Sequence, residues 1–126
     1  MDLRIDIPLP PRTKKNSQRI VRVGGRTIIL PSKKYTEYAE DCKVFMPVLD
    51  EPIKQEVTVK CLYYMPTRRR VDLVNLLEAT LDILVKYGVL EDDNSNIVFS
   101  NDGSRVLYDK DRPRTEIYIT ERGDNE

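Results

Sequence analysis

One stretch limits what this chain can fold into: VDLVNLLEATLDILVKYGVLEDD, from Val71 to Asp93, the longest periodic segment in the sequence. At about 100° per residue, Asp72, Asn75, Glu78, Asp82 and Lys86 fall within an arc of roughly 120° on a helical wheel. Most of the remaining circumference is apolar: Leu73, Val74, Leu76, Leu77, Ala79, Leu81, Ile83, Leu84 and Val85. A helix of that kind is packed into a domain and keeps one polar stripe. Gly88 predicts its end as a C′ residue, with Lys86 in the last turn to meet the negative end of the helix dipole. A short turn then brings Glu91, Asp92 and Asp93. A polar stripe on a buried helix, answered by further carboxylates, is the usual make-up of a metal site. A purely structural reading stands beside it, with Asp72 as an N-cap, Asp82 as an exposed polar position and Glu91 to Asp93 as a solvated loop.

Composition narrows the chemistry. The 126 residues suffice for one domain and one core, and no apolar run approaches the length of a membrane span. The start, MDLRIDIPLP, lacks the apolar core of a signal peptide, so a cytoplasmic protein is expected. Cys42 and Cys61 match no zinc or redox spacing and read as buried, reduced thiols. The sequence contains no histidine. That excludes Ser-His and Cys-His nucleophile systems, an imidazole base and His-bound zinc, and leaves carboxylates with a hard cation as the natural apparatus of an enzyme. The zero net charge hides a gradient. Residues 1–36 carry nine Lys or Arg against two acids, whereas residues 88–126 carry five against ten. The basic part suggests a polyanion partner.

In chain order, Leu3, Ile5, Ile7 and Leu9 alternate as a half-buried strand, which Pro8, Pro10 and Pro11 stop or place at a sheet edge. RTKKNSQRI reads as a basic surface loop. RIVRV, Gly24-Gly25 and RTIIL predict a hairpin about a two-residue turn. Ser32 is placed to cap a helix over Tyr35, Tyr38, Ala39, Cys42, Phe45 and Met46, ended by Pro47. Val57, Val59, Cys61, Tyr63 and Met65 alternate as another strand, and Pro66 with TRRR leads into the central helix. NIVFS and RTEIYITE supply two last strands, and GDNE a frayed tail. The expected fold is α/β (α+β): one compact domain over residues 1–126, with two main helices packed on a small mixed β-sheet.

The ordered set MPTRRRVDLVNLLEATLDILVKYGVLEDD, with PLPPRTKKNS before it and RTEIYITE after it, resembles the RusA family of Holliday-junction resolvases, which are often prophage-encoded. The likeness covers nearly the whole chain. It implies a homodimeric endodeoxyribonuclease that uses Mg²⁺ or Mn²⁺ and cuts paired strands of branched DNA. In that family an arginine-rich lead-in precedes an aspartate, a second aspartate two positions on, and then an asparagine; a further aspartate lies in the turn after the helix. Here these correspond to Asp72, Asn75 and Asp93, with Asp92 beside the last. Two positions depart: the second aspartate is Val74, and a helix lysine of the best-known member falls at Glu78.

A Glu one turn after Val74, rotated about 40°, leans back over the vacated place because helical side chains tilt toward the N-terminus. Val74 and Glu78 therefore read as one compensated change; the competing reading has Val74 in the core and the site decayed. Asp72, Glu78 and Asp93 are the expected metal ligands and catalytic carboxylates, with Asp92 and Asp82 in reserve. Lys14, Lys15, Asn16, Arg68, Arg69 and Arg70 are the expected DNA contacts. Two other functions fit the same residues: a DNA-binding module without catalysis, and a nuclease of other specificity, cutting flap DNA or RNA.

Overall fold

Alternation of apolar and polar residues is enough to place the sheet, and the computed structural model, which describes residues 2–15 and 18–122, shows how its strands are joined. The elements in chain order are β1 (Asp2–Ile7), β2 (Arg19–Val23), β3 (Arg26–Leu30), α1 (Lys33–Cys42), β4 (Val57–Met65), α2 (Leu73–Lys86), β5 (Val98–Ser100), β6 (Arg105–Tyr108) and β7 (Arg114–Glu121). β7 lies between β1 and β4 and is antiparallel to both. β5 and β6 both run parallel to the other edge of β4, β5 at its start and β6 at its end. β1 is thus an edge strand, as the prolines after it require. One face of the sheet carries the rows Leu3–Ile119–Val59, Ile5–Ile117–Cys61 and Ile7–Thr115–Tyr63. The opposite face carries Arg4, Tyr118 and Lys60 in one row and Asp6, Glu116 and Leu62 in the next.

Both helices sit on the apolar face and complete one core. The Tyr63 hydroxyl on β4 meets Thr80 Oγ1 on α2 at 2.7 Å, and the Tyr87 hydroxyl donates to Ala39 O on α1 at 2.7 Å. These bonds satisfy polar groups that burial would otherwise leave costly. Leu76, Ala79, Thr80, Ile83 and Leu84 are the buried side of α2. The helix ends in a Schellman arrangement: Val89 N–H donates to Leu84 O, Gly88 N–H donates to Val85 O, and Gly88 has φ of 75°. α1 stops earlier than its periodicity predicts. Lys43–Phe45 tighten into a 3₁₀ turn, and Met46, still buried, is already extended because Pro47 follows it.

The hairpin β2–β3 forms a separate two-stranded sheet, turning at Gly24 and Gly25 with φ of 58° and 79°, as a type I′ turn demands. β6 is the one strand the sequence pattern does not announce. It has four residues, three of them exposed, so it lacks the burial contrast that alternation needs. Its hydrogen-bond partner, β4, alone makes it a strand. The expected tail Gly123 to Glu126 lies outside the described residues. Among the described residues no helix is long and apolar enough to cross a membrane.

Candidate active site

The expected site residues occupy the solvent side of α2, its N-terminus and the turn beyond its C-terminus. Asp72 is the N-cap: its backbone is extended and its Oδ1 accepts the Val74 N–H at 2.9 Å. Capping uses one oxygen and leaves Oδ2 to another partner. Val74 is 68% exposed, so it is no part of the core. The local cause is the position of its side chain in the first turn, away from the face that meets β4.

Glu78 and Asp82 follow along the same side, and two lysines from the loop after β1 come to them. Lys14 Nζ hydrogen-bonds Asp82 and lies 3.7 Å from Glu78; Lys15 Nζ lies 3.8 Å from Glu78. The hydrogen bond to Asp82 is the chief reason that the Lys14 ammonium is held above its ordinary pKa. Expected on DNA, both lysines thus rest on carboxylates. Asn16 lies outside the described residues. Tyr35 of α1 closes the far side. Burial, then the charges of Asp82 and Glu78, push its phenol pKa up, so its hydroxyl remains a neutral donor toward Ala79 O.

In the turn after α2, Asp92 accepts from the Asp93 N–H at 2.7 Å and from Asn94 Nδ2 at 3.2 Å, which commits both its oxygens to shaping the turn. Asp93 is differently placed. The residue is exposed, but slight withdrawal of its carboxyl from water, then Asp92 and the charge of Asp82, raise that carboxyl above the ordinary range. Asp82 therefore lies near enough to act on Asp93, although the two belong to different elements. Among the described residues no three acidic or thiol side chains converge closely enough to hold a cation as they stand. The donor chemistry nevertheless suits a hard divalent ion. Glu78 and Asp82 already gather positive charge in the form of Lys14, and Asp93 is destabilised by negative neighbours that a cation would neutralise.

The arginine run divides. Arg68 stacks over the Tyr108 ring of β6 at 4.1 Å. Arg69 and Arg70 turn the other way and line a cleft of about 580 Å³ together with Arg12, Thr13, Ser32 and Lys34. Arg12 and Lys34 are absent from the expected set. The only trace of them in the sequence is the general basic excess of the first 36 residues, which does not say which cations will share a surface.

These positions can be set against known proteins. The family model described as endodeoxyribonuclease RusA matches residues 8–120, which takes in every element from the loop after β1 through nearly all of β7. A search of curated proteins finds no match.

Proposed function

The chain belongs to the RusA family of endodeoxyribonucleases, and from that premise we propose that it hydrolyses phosphodiester bonds in branched DNA, Holliday junctions foremost, with Mg²⁺ or Mn²⁺. Asp72, Glu78 and Asp93 would hold the cation, with Asp82 and Asp92 adjacent. When bound, the cation supplies Lewis-acid chemistry at the scissile phosphate and makes water a better nucleophile. The observation that supports this reading is that Glu78 and Asp82 share one side of α2 with lysine charge drawn to both, while Asp93 in the turn beyond feels the charge of Asp82.

The chain's own groups divide the work. Asp72 Oδ2, free of the cap, faces solvent at the positive end of the helix dipole. Lys14 Nζ would be exchangeable between Asp82 and a phosphate oxygen: with a cation held at the carboxylates, it would be free to donate to the strand. Arg69 and Arg70 position the strand through phosphate contacts, which carry no base preference, so recognition is of branch shape. Water oxygen bonds to phosphorus and one P–O ester bond breaks, leaving one phosphate end and one hydroxyl end. A two-fold dimer would present two such sites to the two strands of a junction. A cytoplasmic setting and prophage origin belong to the same reading.

A second reading has one observation in its favour: with Lys14 and Lys15 paired to Glu78 and Asp82, the acidic group is already neutralised, as a DNA-binding module without catalysis would leave it. Digestion of a four-way junction, a flap, linear duplex and RNA, each with and without Mg²⁺, separates the cases. Metal-dependent cleavage of the junction ahead of the others is expected. Binding without cleavage would establish the second reading, and preferential cleavage of flap or RNA would reassign the substrate.

A further inference from the structure

The cleft beside the N-terminus of α2 has a make-up that metal chemistry does not explain. Four cations line it, Arg12, Lys34, Arg69 and Arg70, and no carboxylate does. Among the described residues none of the four is paired with an acid, whereas Lys14, Lys15, Lys33 and Arg114 all are. Like charges gathered without counter-charge repel one another and are tolerated where an anion completes them. Two helix N-termini border the same space. Ser32 is the N-cap of α1 and Lys34 stands in its first turn, while Val71 leads from the cleft directly into the cap of α2. Both helix dipoles present their positive ends there.

Thr13 supplies an independent sign of a ligand. It lines the cleft, is only 3% exposed, and its Oγ1 has no hydrogen-bond partner among the described residues. Buried hydroxyls are nearly always bonded, because leaving one unmade forfeits its hydration for nothing. Thr115 is the other such group, but it lies on the buried face of the sheet between Ile7 and Tyr63 and does not line this cleft. Thr13 is a donor next to four unpaired cations.

We propose that this cleft is a phosphate subsite for a continuous DNA strand, with Arg12, Lys34, Arg69 and Arg70 around one or two backbone phosphates and Thr13 Oγ1, closed to solvent in this conformation, turned about its Cα–Cβ bond to donate to one of their oxygens. The inference rests on the reading of the chain as a DNA endonuclease and deepens it. It assigns Arg12, Thr13 and Lys34 to the substrate and places the strand across the start of α2, just ahead of Asp72. A volume of about 580 Å³ exceeds what a bare phosphate needs and leaves room for the attached sugar.

Thr13→Val makes the sharpest test, because it keeps the shape and removes only the hydroxyl. If the hydroxyl serves the strand, the variant melts at the same or a higher temperature while its junction affinity, measured in Ca²⁺ or EDTA, falls severalfold. A purely structural threonine could not produce that opposition. Lys34→Ala and Arg12→Ala should each reduce the slope of log affinity against log salt by about one unit. Unchanged affinity in Thr13→Val together with unchanged slopes in both alanine variants would overturn the subsite while leaving the endonuclease reading intact. A wild-type chain that binds no DNA would overturn both. Inorganic phosphate and a deoxynucleoside monophosphate serve as competitors. Weak displacement of the junction by either supports a strand phosphate. Tight binding of either that Lys34→Ala abolishes would transfer the cleft to a free phosphate compound and overturn the assignment to a strand.

Discussion

Lys14 donates a hydrogen bond from its ammonium group to Asp82, pinning the loop after β1 to the middle of α2. The two residues are distant in sequence, and the same ammonium also approaches Glu78. A lysine in that position is a tethered cation, held where an untethered one is proposed to act. Its pairing with these carboxylates and the binding of a metal to them would then compete.

Replacing Lys14 with Met should accordingly increase affinity for Mn²⁺ in calorimetric titration and enlarge the gain in melting temperature on adding Mg²⁺. Without metal the variant should lose no more than about 1 kcal/mol, since both partners are partly exposed and such pairs are weak. Unaltered metal affinity would show that Asp82 and Glu78 lie outside the metal site.

Asp72→Asn and Asp93→Asn should each abolish cleavage and leave junction binding largely intact. Asn is as good an N-cap as Asp, so the first change removes charge without unravelling α2, whereas Asp72→Ala should also cost about 1 kcal/mol of stability. Asp93 carries a further sign. Its folded-state pKa is raised, first by burial and then by Asp92 and Asp82. Stability therefore falls as pH rises through the window between its unfolded and folded values. Asp93→Asn removes that loss, so the metal-free variant should melt no lower than wild type at neutral pH. Near-normal cleavage in either variant would take that residue out of the site.

Glu78→Gln tests whether the carboxylate missing at Val74 has been supplied one turn later. A loss comparable with Asp72→Asn is expected; full activity would refute compensation. The exposure of Val74 settles how the complementary change behaves. Val74→Asp introduces a charge into solvent in the first turn of α2, where acids are favoured by roughly 0.3–1 kcal/mol, and should fold normally. Combined with Glu78→Lys, it should recover at least tenfold of the activity that Glu78→Lys alone removes, a barrier difference of about 1.4 kcal/mol in a timed digest.

Acid should weaken the protein through the open face of the sheet. Burial pushes Glu116 up, but hydrogen bonds from Arg114 and Tyr118 outweigh it and hold the carboxyl below its ordinary value. Asp109 is lowered chiefly by the Arg112 backbone N–H and then by Arg114. Both folded values lie below the unfolded ones. Their contribution is thus complete above the ordinary Glu value of 4.5 and is lost as pH falls through the lowered folded values. Melting temperature should decline across that acid window, and Arg114→Met should flatten the decline. A variant with the wild-type acid profile would detach it from this network.

The parts whose causes are local could be read from the residues alone. Alternation placed the central strands, two adjacent glycines placed the hairpin, and Gly88 and Lys86 placed the end of α2, because backbone preference and periodicity act within a few residues. Asp72 as an N-cap was legible for the same reason. The family likeness of VDLVNLLEATLDILVKYGVLEDD pointed to an endodeoxyribonuclease before any contact was known. Where charges meet depended on packing between distant segments. RRR reads as one basic run, yet Arg68 goes to Tyr108 while Arg69 and Arg70 face the cleft. Lys14 and Lys15 looked like free cations of a loop, yet they rest on Glu78 and Asp82. Arg12 and Lys34 joined the same cleft from opposite sides of the hairpin in sequence. A side chain's charge is written in the sequence, but the partner that screens it is chosen by chain topology, through distances no local pattern encodes.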